Sequence, residues 1–184
     1  MARPAIFLDR DGIIVESQRA PGAPTPPASV DDIAIPAGVV EALHALRAAG
    51  YCLVVVTNQP DVARGSTTRA EVDAINEALR RALPLDAIYA CFHDGPECQC
   101  RKPRPGMLLD ATHDLDLDLR QSWLIGDRWV DIAAGAAAGV HTVLVERAHS
   151  WDATSRGAPP SDLVPDRRVE SVTDAAEIIL GSTR

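Results

Sequence analysis

The residues that could carry chemistry are polar ones that directly follow apolar runs or a short loop: Asp9, Asp11, Thr57, Lys102 and Asp127. They combine carboxylates, a hydroxyl and an ammonium, a set that phosphoryl transfer can use. That reaction needs a nucleophile, a cation that screens the phosphoryl oxygens and a proton donor for the leaving oxygen. We therefore expect Mg²⁺ to be held by Asp9 and Asp127, with Lys102 opposite.

The spacing of the two N-terminal carboxylates divides this work between them. Asp11 lies two residues after Asp9, so in an extended chain both side chains project to the same side, and Gly12 permits an immediate turn. One carboxylate would attack phosphorus while the other handles the proton.

Three more polar positions belong to the same candidate site. Thr57 and Asn58 can donate hydrogen bonds to phosphoryl oxygens. Asp131 follows Asp127 by four residues, and it either adds to the metal site or only caps the helix that follows.

Three of the four cysteines lie with one histidine in the pattern C-x-H-x4-C-x-C: Cys91, His93, Cys98 and Cys100. Four such ligands are enough for a closed tetrahedral zinc site, which is the structural type. The alternative is a group of free thiols beside a surface histidine. The fourth cysteine, Cys52, lies within an apolar run and is predicted to be buried filler. His149 has no recognisable partner, and we interpret it as a surface or structural residue.

The elements that must position these residues alternate between strand and helix. Apolar runs predict strands at 5–8, 52–56, 87–91, 123–125 and 142–145, with an edge strand at 169–172. Helical spacing predicts helices at 37–49, from Thr68 onward, and at 106–115, 131–138 and 174–180. This order implies one Rossmann-like parallel sheet with helices on both faces, whose strand ends gather the polar residues at one edge. The proline-rich stretches 17–29 and 149–165 are predicted to be loops.

Composition limits the classes of function. The 184 residues are 46% apolar and 24% charged, which fits one domain over 1–184. The formal net charge of −8 argues against nucleic acid as a partner. No apolar run approaches the roughly eighteen residues that span a membrane. Together with the predicted metal-binding thiols, this leads us to expect a monomeric cytoplasmic protein that acts on a small molecule.

Four sequence motifs resemble those of the haloacid dehalogenase (HAD) superfamily: Asp9-Arg10-Asp11-Gly12, Thr57-Asn58-Gln59, Arg101-Lys102-Pro103, and Gly126-Asp127 with Asp131. Longer strings around the first three, including Ala63-Arg64-Gly65 and Pro105-Gly106-Met107, are similar to the D-glycero-D-manno-heptose 1,7-bisphosphate 7-phosphatases and their histidinol-phosphatase relatives. The resemblance implies a phosphoric monoester hydrolase of carbohydrate metabolism, in lipopolysaccharide or nucleotide-heptose biosynthesis, that forms a phosphoaspartyl intermediate.

The resemblance also implies a role for each residue. Asp9 would be the nucleophile and a magnesium ligand, Asp11 would be the acid/base and offer its backbone carbonyl to the metal, and Asp127 would complete the magnesium site. The phosphoryl group would be held by Thr57, Asn58 and Lys102. The rest of the substrate would meet Arg64 and Arg101, since a guanidinium fork suits a second phosphate. The zinc loop is also a family feature.

Caps in this superfamily are inserted between motifs, and both intervals here are short. About 45 residues separate Asp11 from Thr57, and about as many separate Thr57 from Lys102. Each interval is filled by one predicted helix, one strand and loops, so we expect no separate cap domain.

The chain departs from the family pattern at Pro60-Asp61, and also at Ile13 and Val15. A carboxylate beside the phosphate site would repel an anionic substrate unless it turns outward or bonds a sugar hydroxyl. Asp61 therefore slightly favours the alternative of a histidinol-phosphate phosphatase, whose substrate carries an ammonium. A second alternative is a non-catalytic sugar-phosphate binding protein.

Overall fold

The computed structural model describes residues 2–20 and 23–182, and its strands form one large sheet and one small one. The strands are β1 (Ala5–Leu8), β2 (Gln18–Ala20), β3 (Ala23–Thr25), β4 (Cys52–Asn58), β5 (Ala87–Cys91), β6 (Trp123–Gly126), β7 (His141–Val145) and β8 (Arg167–Val169). Six of them pair in parallel in the order β5-β4-β1-β6-β7-β8. This confirms the predicted Rossmann-like sheet and sets the C-terminal ends of β4, β1 and β6 side by side.

Helices cover both faces of this sheet. They are α1 (Val39–Ala48), α2 (Asp61–Arg64), α3 (Arg69–Ala82), α4 (Gly106–Leu115), α5 (Trp129–Ala138) and α6 (Val172–Ser182). Side chains alternate along β1, so Ile6 and Leu8 join the core formed with α1, α3 and α6. Ala5 and Phe7 join the opposite core, formed with α4 and α5. Because β1 is buried on both faces, the polar residue that follows it has a rigid support.

The start of α3 shows that local sequence signals act as predicted. Thr68 Oγ1 accepts a hydrogen bond from the backbone N–H of Glu71 at 3.2 Å, and Glu71 Oε2 accepts one from the backbone N–H of Thr68 at 2.7 Å. This reciprocal capping box satisfies two donors that the helix itself leaves unpaired. Cys52 is buried in β4, as expected of an apolar filler.

The structure corrects several sequence boundaries. The stretch 17–29 is not all loop, because β2 and β3 pair there as an antiparallel hairpin. The edge strand predicted at 169–172 lies instead at Arg167–Val169, and α6 already begins at Val172. β4 continues two residues beyond its apolar run, since Thr57 and Asn58 still pair with β5.

None of the helices within residues 2–20 and 23–182 combines the length and apolar character that a membrane span requires.

Gly135 in α5 tests how tightly this helix packs on the sheet. A Cβ added there would lie 2.6 Å from Thr142 Cγ2 and 3.2 Å from Leu124 Cδ2. We expect Gly135→Ala to lower the free energy of unfolding by about 1–3 kcal/mol because the crowding outweighs the gain in helix propensity. Urea denaturation measures this. Gly181→Ala in α6, where a Cβ meets open space, is the matched control and should not destabilise. Equal effects of the two substitutions would contradict the packing argument.

Candidate active site

The C-terminal edge of the sheet carries a cavity of about 350 Å³ that gathers most of the predicted site residues. Those that line it are Asp9, Asp11, Asn58, Arg64, Arg101, Lys102, Asp127 and Asp131. Thr57 is the exception, since it is buried within β4 and its Oγ1 accepts a hydrogen bond from Gln59 Nε2 at 2.9 Å. The fold therefore brings residues from four separate motifs to one place, as the parallel strand ends require.

A buried lysine joins two of these carboxylates. Lys102 is only 1% exposed, and its Nζ lies 2.9 Å from Asp9 Oδ1 and 2.6 Å from Asp131 Oδ1. It also donates to the backbone carbonyl of Val56 at 2.8 Å. Burial alone would lower the pKa of Lys102, but the charges of Asp131 and Asp9 outweigh it and raise that pKa above its usual value. The ammonium is therefore held charged beside the predicted nucleophile.

The amide of Asn58 fixes the lysine from the backbone side. Asn58 Nδ2 donates to the carbonyl of Lys102 at 3.1 Å, and Asn58 Oδ1 accepts from the Lys102 N–H at 3.0 Å. Asn58 was predicted to bind phosphoryl oxygens. In the structure, Nδ2 and Oδ1 of its amide bond to the loop that carries Lys102 and so help to place the lysine, while Asn58 also lines the cavity, and its binding of phosphoryl oxygens stays a prediction.

Three carboxylates form a group suited to a divalent cation. Oxygen atoms of Asp9, Asp127 and Asp131 all lie within 4.8 Å of one another. Burial raises the pKa of Asp9 to about 7, against the opposing charge of Lys102. Asp127 Oδ1 is buried and has no hydrogen-bond partner among the described residues. An orphaned buried oxygen within an all-oxygen group fits Mg²⁺, which prefers such ligands.

Gly12 allows this group to be compact. Its φ of +88° lies in the region that favours glycine, and an added Cβ would lie 2.4 Å from Asp127 Oδ2. The turn after Asp11 can therefore approach Asp127 only without a side chain.

Asp131 caps the following helix and also pairs with Lys102, while its part in a metal site stays a prediction. Its Oδ2 accepts a hydrogen bond from the backbone N–H of Arg128 at 3.1 Å, which caps the start of α5. Its Oδ1 lies on Lys102, as described above. Trp129, two residues before Asp131, is buried in the protein. It is 3% exposed, and its Nε1 donates to the carbonyl of Asp152.

A polar network outside the cation group orients Asp11. Its two oxygens pair with Nε and Nη2 of Arg10 at 3.0 and 3.1 Å, and Gln59 Nε2 donates to Oδ2 at 2.8 Å. Arg10 is fully buried, and its Nη1 donates to Asn76 Oδ1 of α3 at 3.0 Å. The predicted acid/base carboxylate is thus held in place by a buried guanidinium that pairs with both of its oxygens.

The mouth of the cavity holds the two predicted substrate-binding arginines. Arg64 and Arg101 both contact the carboxylate of Asp94. Hydrogen bonds from Arg64 and then from Arg101 lower the pKa of Asp94 to about 2, so it is ionised between them. Asp61, the departure from the family pattern, lies 3.3 Å from Arg64 Nη1 and is therefore paired.

The four predicted zinc ligands come together at the end of β5 and in the loop after it. Their six separations, between Sγ of Cys91, Cys98 and Cys100 and Nδ1 of His93, all lie between 2.9 and 3.6 Å. Four atoms at nearly equal mutual distances form a tetrahedron. Ligands about 2.0–2.3 Å from a central zinc would have slightly wider separations, so the donor set and its shape fit the ion.

His149 is a site residue that the sequence interpretation missed. The interpretation that it has no partner is wrong, because its Nε2 lies 2.8 Å from Asp127 Oδ2. It also lines the cavity. It belongs to the stretch 149–165, which folds back over the sheet edge and also brings Ser155 and Arg156 to the cavity. A lone histidine in a proline-rich loop carries no periodic or motif signal, so only the folded chain reveals this contact.

Comparison with known proteins assigns the chain to a family. A family model for HAD-hydrolase-like proteins matches residues 99–175. The D-glycero-beta-D-manno-heptose-1,7-bisphosphate 7-phosphatase of Salmonella typhi is 39% identical over 158 residues, covering 78% of this chain and 80% of that protein. The chain belongs to the heptose 1,7-bisphosphate 7-phosphatase family.

Other members of the family extend the match. The Yersinia pestis protein of the same name is 35% identical, and the match covers 88% of this chain and 89% of that protein. A crystal structure of D,D-heptose 1,7-bisphosphate phosphatase from B. bronchiseptica, complexed with magnesium and phosphate, superposes with a TM-score of 0.78 at 33% identity. It covers 97% of this chain and 99% of that one. These matches confirm the predicted HAD fold and family.

Asn76 tests the network behind Asp11. We expect Asn76→Leu to lower the free energy of unfolding by about 1–3 kcal/mol, because it leaves a donor of the fully buried Arg10 without its acceptor. Asn76→Asp keeps an acceptor oxygen and should retain more of the stability. Chemical denaturation of both variants measures the difference. Two variants of equal stability would show that this hydrogen bond contributes nothing.

Proposed function

We propose that this protein hydrolyses the 7-phosphate of D-glycero-D-manno-heptose 1,7-bisphosphate through a phosphoaspartyl intermediate on Asp9. The observation that carries the proposal is the carboxylate of Asp9, which lies beside a buried ammonium in a cavity whose mouth holds two arginines. The names of the family relatives supply the substrate.

In the proposed first step, an oxygen of ionised Asp9 attacks phosphorus from the cavity floor. The bond between phosphorus and the oxygen on C7 breaks, and Asp11, which is protonated at the start of the cycle, gives its proton to that leaving oxygen. Lys102 favours the ionised form of Asp9 and balances the charge that gathers on the phosphoryl oxygens. In the second step the oxygen of a water molecule attacks phosphorus while Asp11 takes a proton from that water. The bond between phosphorus and Asp9 breaks, which releases phosphate, the free carboxylate of Asp9 and Asp11 in its protonated form.

Mg²⁺ would be held by the carboxylates of Asp9 and Asp127 and by the backbone carbonyl of Asp11. When bound, it screens the negative charges of the nucleophile and the phosphoryl oxygens from each other. The orphaned Asp127 Oδ1 supports this assignment. Asp131 would act behind these ligands, because its oxygens already contact Lys102 and the start of α5.

The pairing of Asp61 bears on the alternative substrate. An ammonium of histidinol phosphate would need a free carboxylate at the cavity mouth. Asp61 contacts Arg64, and Asp94 contacts both Arg64 and Arg101, so each carboxylate is already paired with a guanidinium and neither is free for an ammonium. The alternative of a non-catalytic binding protein is opposed by the intact nucleophile, lysine and acid/base network.

We also propose that the cysteine cluster binds one structural Zn²⁺, that residues 1–184 form a single monomeric domain, and that the protein acts in the reducing cytoplasm, where such thiols persist. The near-tetrahedral separations support the zinc assignment. The loop leads directly into Arg101 and Lys102, so a bound ion would fix both cations without a large core beneath them.

The proposed activity is tested by measuring phosphate release from both anomers of the bisphosphate and from an aryl phosphate, with magnesium present. We expect the bisphosphate to be strongly preferred. Asp9→Asn should lower turnover by more than about 10⁴-fold, since it removes the nucleophile, while leaving the fold intact. Asp73→Asn, at an exposed ion pair with Arg69, is the control and should leave the rate unchanged. Turnover no better than with the aryl phosphate would reject the substrate, and an active Asp9→Asn would reject the nucleophile.

Thiol accessibility tests the zinc site. Under native conditions we expect iodoacetamide to label none of the cysteines rapidly, because three hold zinc and burial raises the pKa of Cys52 to about 11. A zinc chelator should expose Cys91, Cys98 and Cys100 to labelling but not Cys52. The same chelator treatment should also lower the phosphatase activity, measured after magnesium has been added back. Mass spectrometry of the labelled peptides and metal analysis give the result. Full activity in verified zinc-free protein would count against the proposal.

A further inference from the structure

The two arginines at the cavity mouth do not stand independently, because one carboxylate joins them. Asp94 Oδ2 accepts from Arg64 Nε at 2.8 Å, and Asp94 Oδ1 accepts from Arg64 Nη2 at 2.8 Å. The same Oδ1 is contacted by Arg101 Nη1, which also donates to the Asp94 backbone carbonyl at 3.1 Å. A side-on bidentate pair of this kind fixes the plane of a guanidinium as well as its distance.

Ser155 joins the pair from the other side. Its Oγ accepts from Arg101 Nη2 at 2.9 Å and from Arg64 Nη2 at 3.4 Å. The two guanidiniums are therefore held between one carboxylate and one hydroxyl, although they come from distant parts of the chain.

Carboxylates and guanidiniums are balanced within this cluster. Asp94 and Asp61 together offset the charges of Arg64 and Arg101, and Arg156, which also lines the cavity, adds a further positive charge. Without Asp94, two like charges would repel each other, and Arg64, whose side chain is 39% exposed, would keep only Asp61 as an ion-pair partner and could turn away from Arg101. Arg101 is almost completely buried, and its Nε has no partner among the described residues.

We propose that Asp94 is a positioning residue that holds Arg64 and Arg101 side by side to receive the phosphate that is not hydrolysed. The inference rests on the proposed function, which supplies a substrate with a second phosphate. Paired in advance, the two guanidiniums need not lose side-chain freedom when the substrate binds, so the gain appears in affinity for the bisphosphate. Asp94 would not touch the reacting phosphorus and would act only through the arginines.

The position of Asp94 links this role to the metal loop. It lies directly after His93 and before Cys98, so the segment that carries the predicted zinc ligands also carries the carboxylate that pairs the arginines. The loop thereby serves substrate selection as well as the placement of Lys102.

The test compares two substrates, the heptose 1,7-bisphosphate and the heptose 7-phosphate that lacks the second phosphate. We expect Asp94→Asn to lower the ratio of their kcat/KM values by about 10- to 100-fold, as expected for lost hydrogen bonds between charged groups. The loss should appear as a higher KM for the bisphosphate, with kcat within about 3-fold of wild type. Values for the monophosphate and for zinc content should stay unchanged.

Two further variants complete the design. Asp94→Glu keeps a carboxylate and should restore part of the preference for the bisphosphate. Glu97→Gln removes an exposed charge from the same loop without touching either arginine and should behave as wild type.

Each contrary outcome has a separate meaning. An Asp94→Asn variant that keeps the wild-type preference, or that loses activity equally on both substrates, would overturn the positioning role. A lower KM for the bisphosphate would overturn it as well, since Asp94 would then compete with the phosphate. Wild-type protein without any preference for the bisphosphate would overturn the proposed function together with this inference.

Discussion

The site depends on one buried ammonium. Lys102 is placed between Asp9 and Asp131, with a backbone carbonyl as a third acceptor, in an environment from which water is almost excluded. A charge at such depth is tolerated only when it is paired and hydrogen-bonded, and the carboxylates in turn require it, because they would otherwise repel one another. Lysine and carboxylates are therefore a single unit, and the surrounding structure can be understood as the means of holding it together.

Two distant parts of the chain provide that support. Asn58 in β4 bonds the backbone of Lys102 at both polar atoms, and β1 presents Asp9 from a strand that is buried on both faces. The cavity mouth is built differently, from loops after β5 and β7 that hydrogen-bond to each other: Arg101 donates to Ser155 Oγ, and Arg156 donates to the backbone carbonyl of Gly95. The reacting end of the site is thus held by the sheet, and the end that meets the rest of a substrate is held by loops. Loops are the parts in which enzymes of one fold differ from each other.

The sequence predicted those features that depend on strand position or on local pattern. Asp9, Lys102 and Asp127 converge because parallel strands end at one edge, and the cysteine cluster closes because its ligands are near in sequence. Features that depend on long-range return of the chain were not predictable. His149 reaches Asp127 only after the loop beyond β7 folds back, and the hairpin of β2 and β3 has no alternation of apolar residues to indicate it. The bonds from Asn58 to the backbone of Lys102 were not predictable either, because motif position does not show which partners an amide will have.

Asp131 uses one oxygen to begin a helix and the other to hold the lysine, so its two duties cannot be adjusted separately. Replacement by asparagine or serine could still cap α5 but would remove a charge next to Lys102. Glutamate would keep that charge but move it by a methylene, and an added atom has little room because Asp131 is completely buried. Substitutions that alter the reactivity of this site without weakening the scaffold must therefore be made at other positions. Few substitutions of this aspartate can be expected to be tolerated.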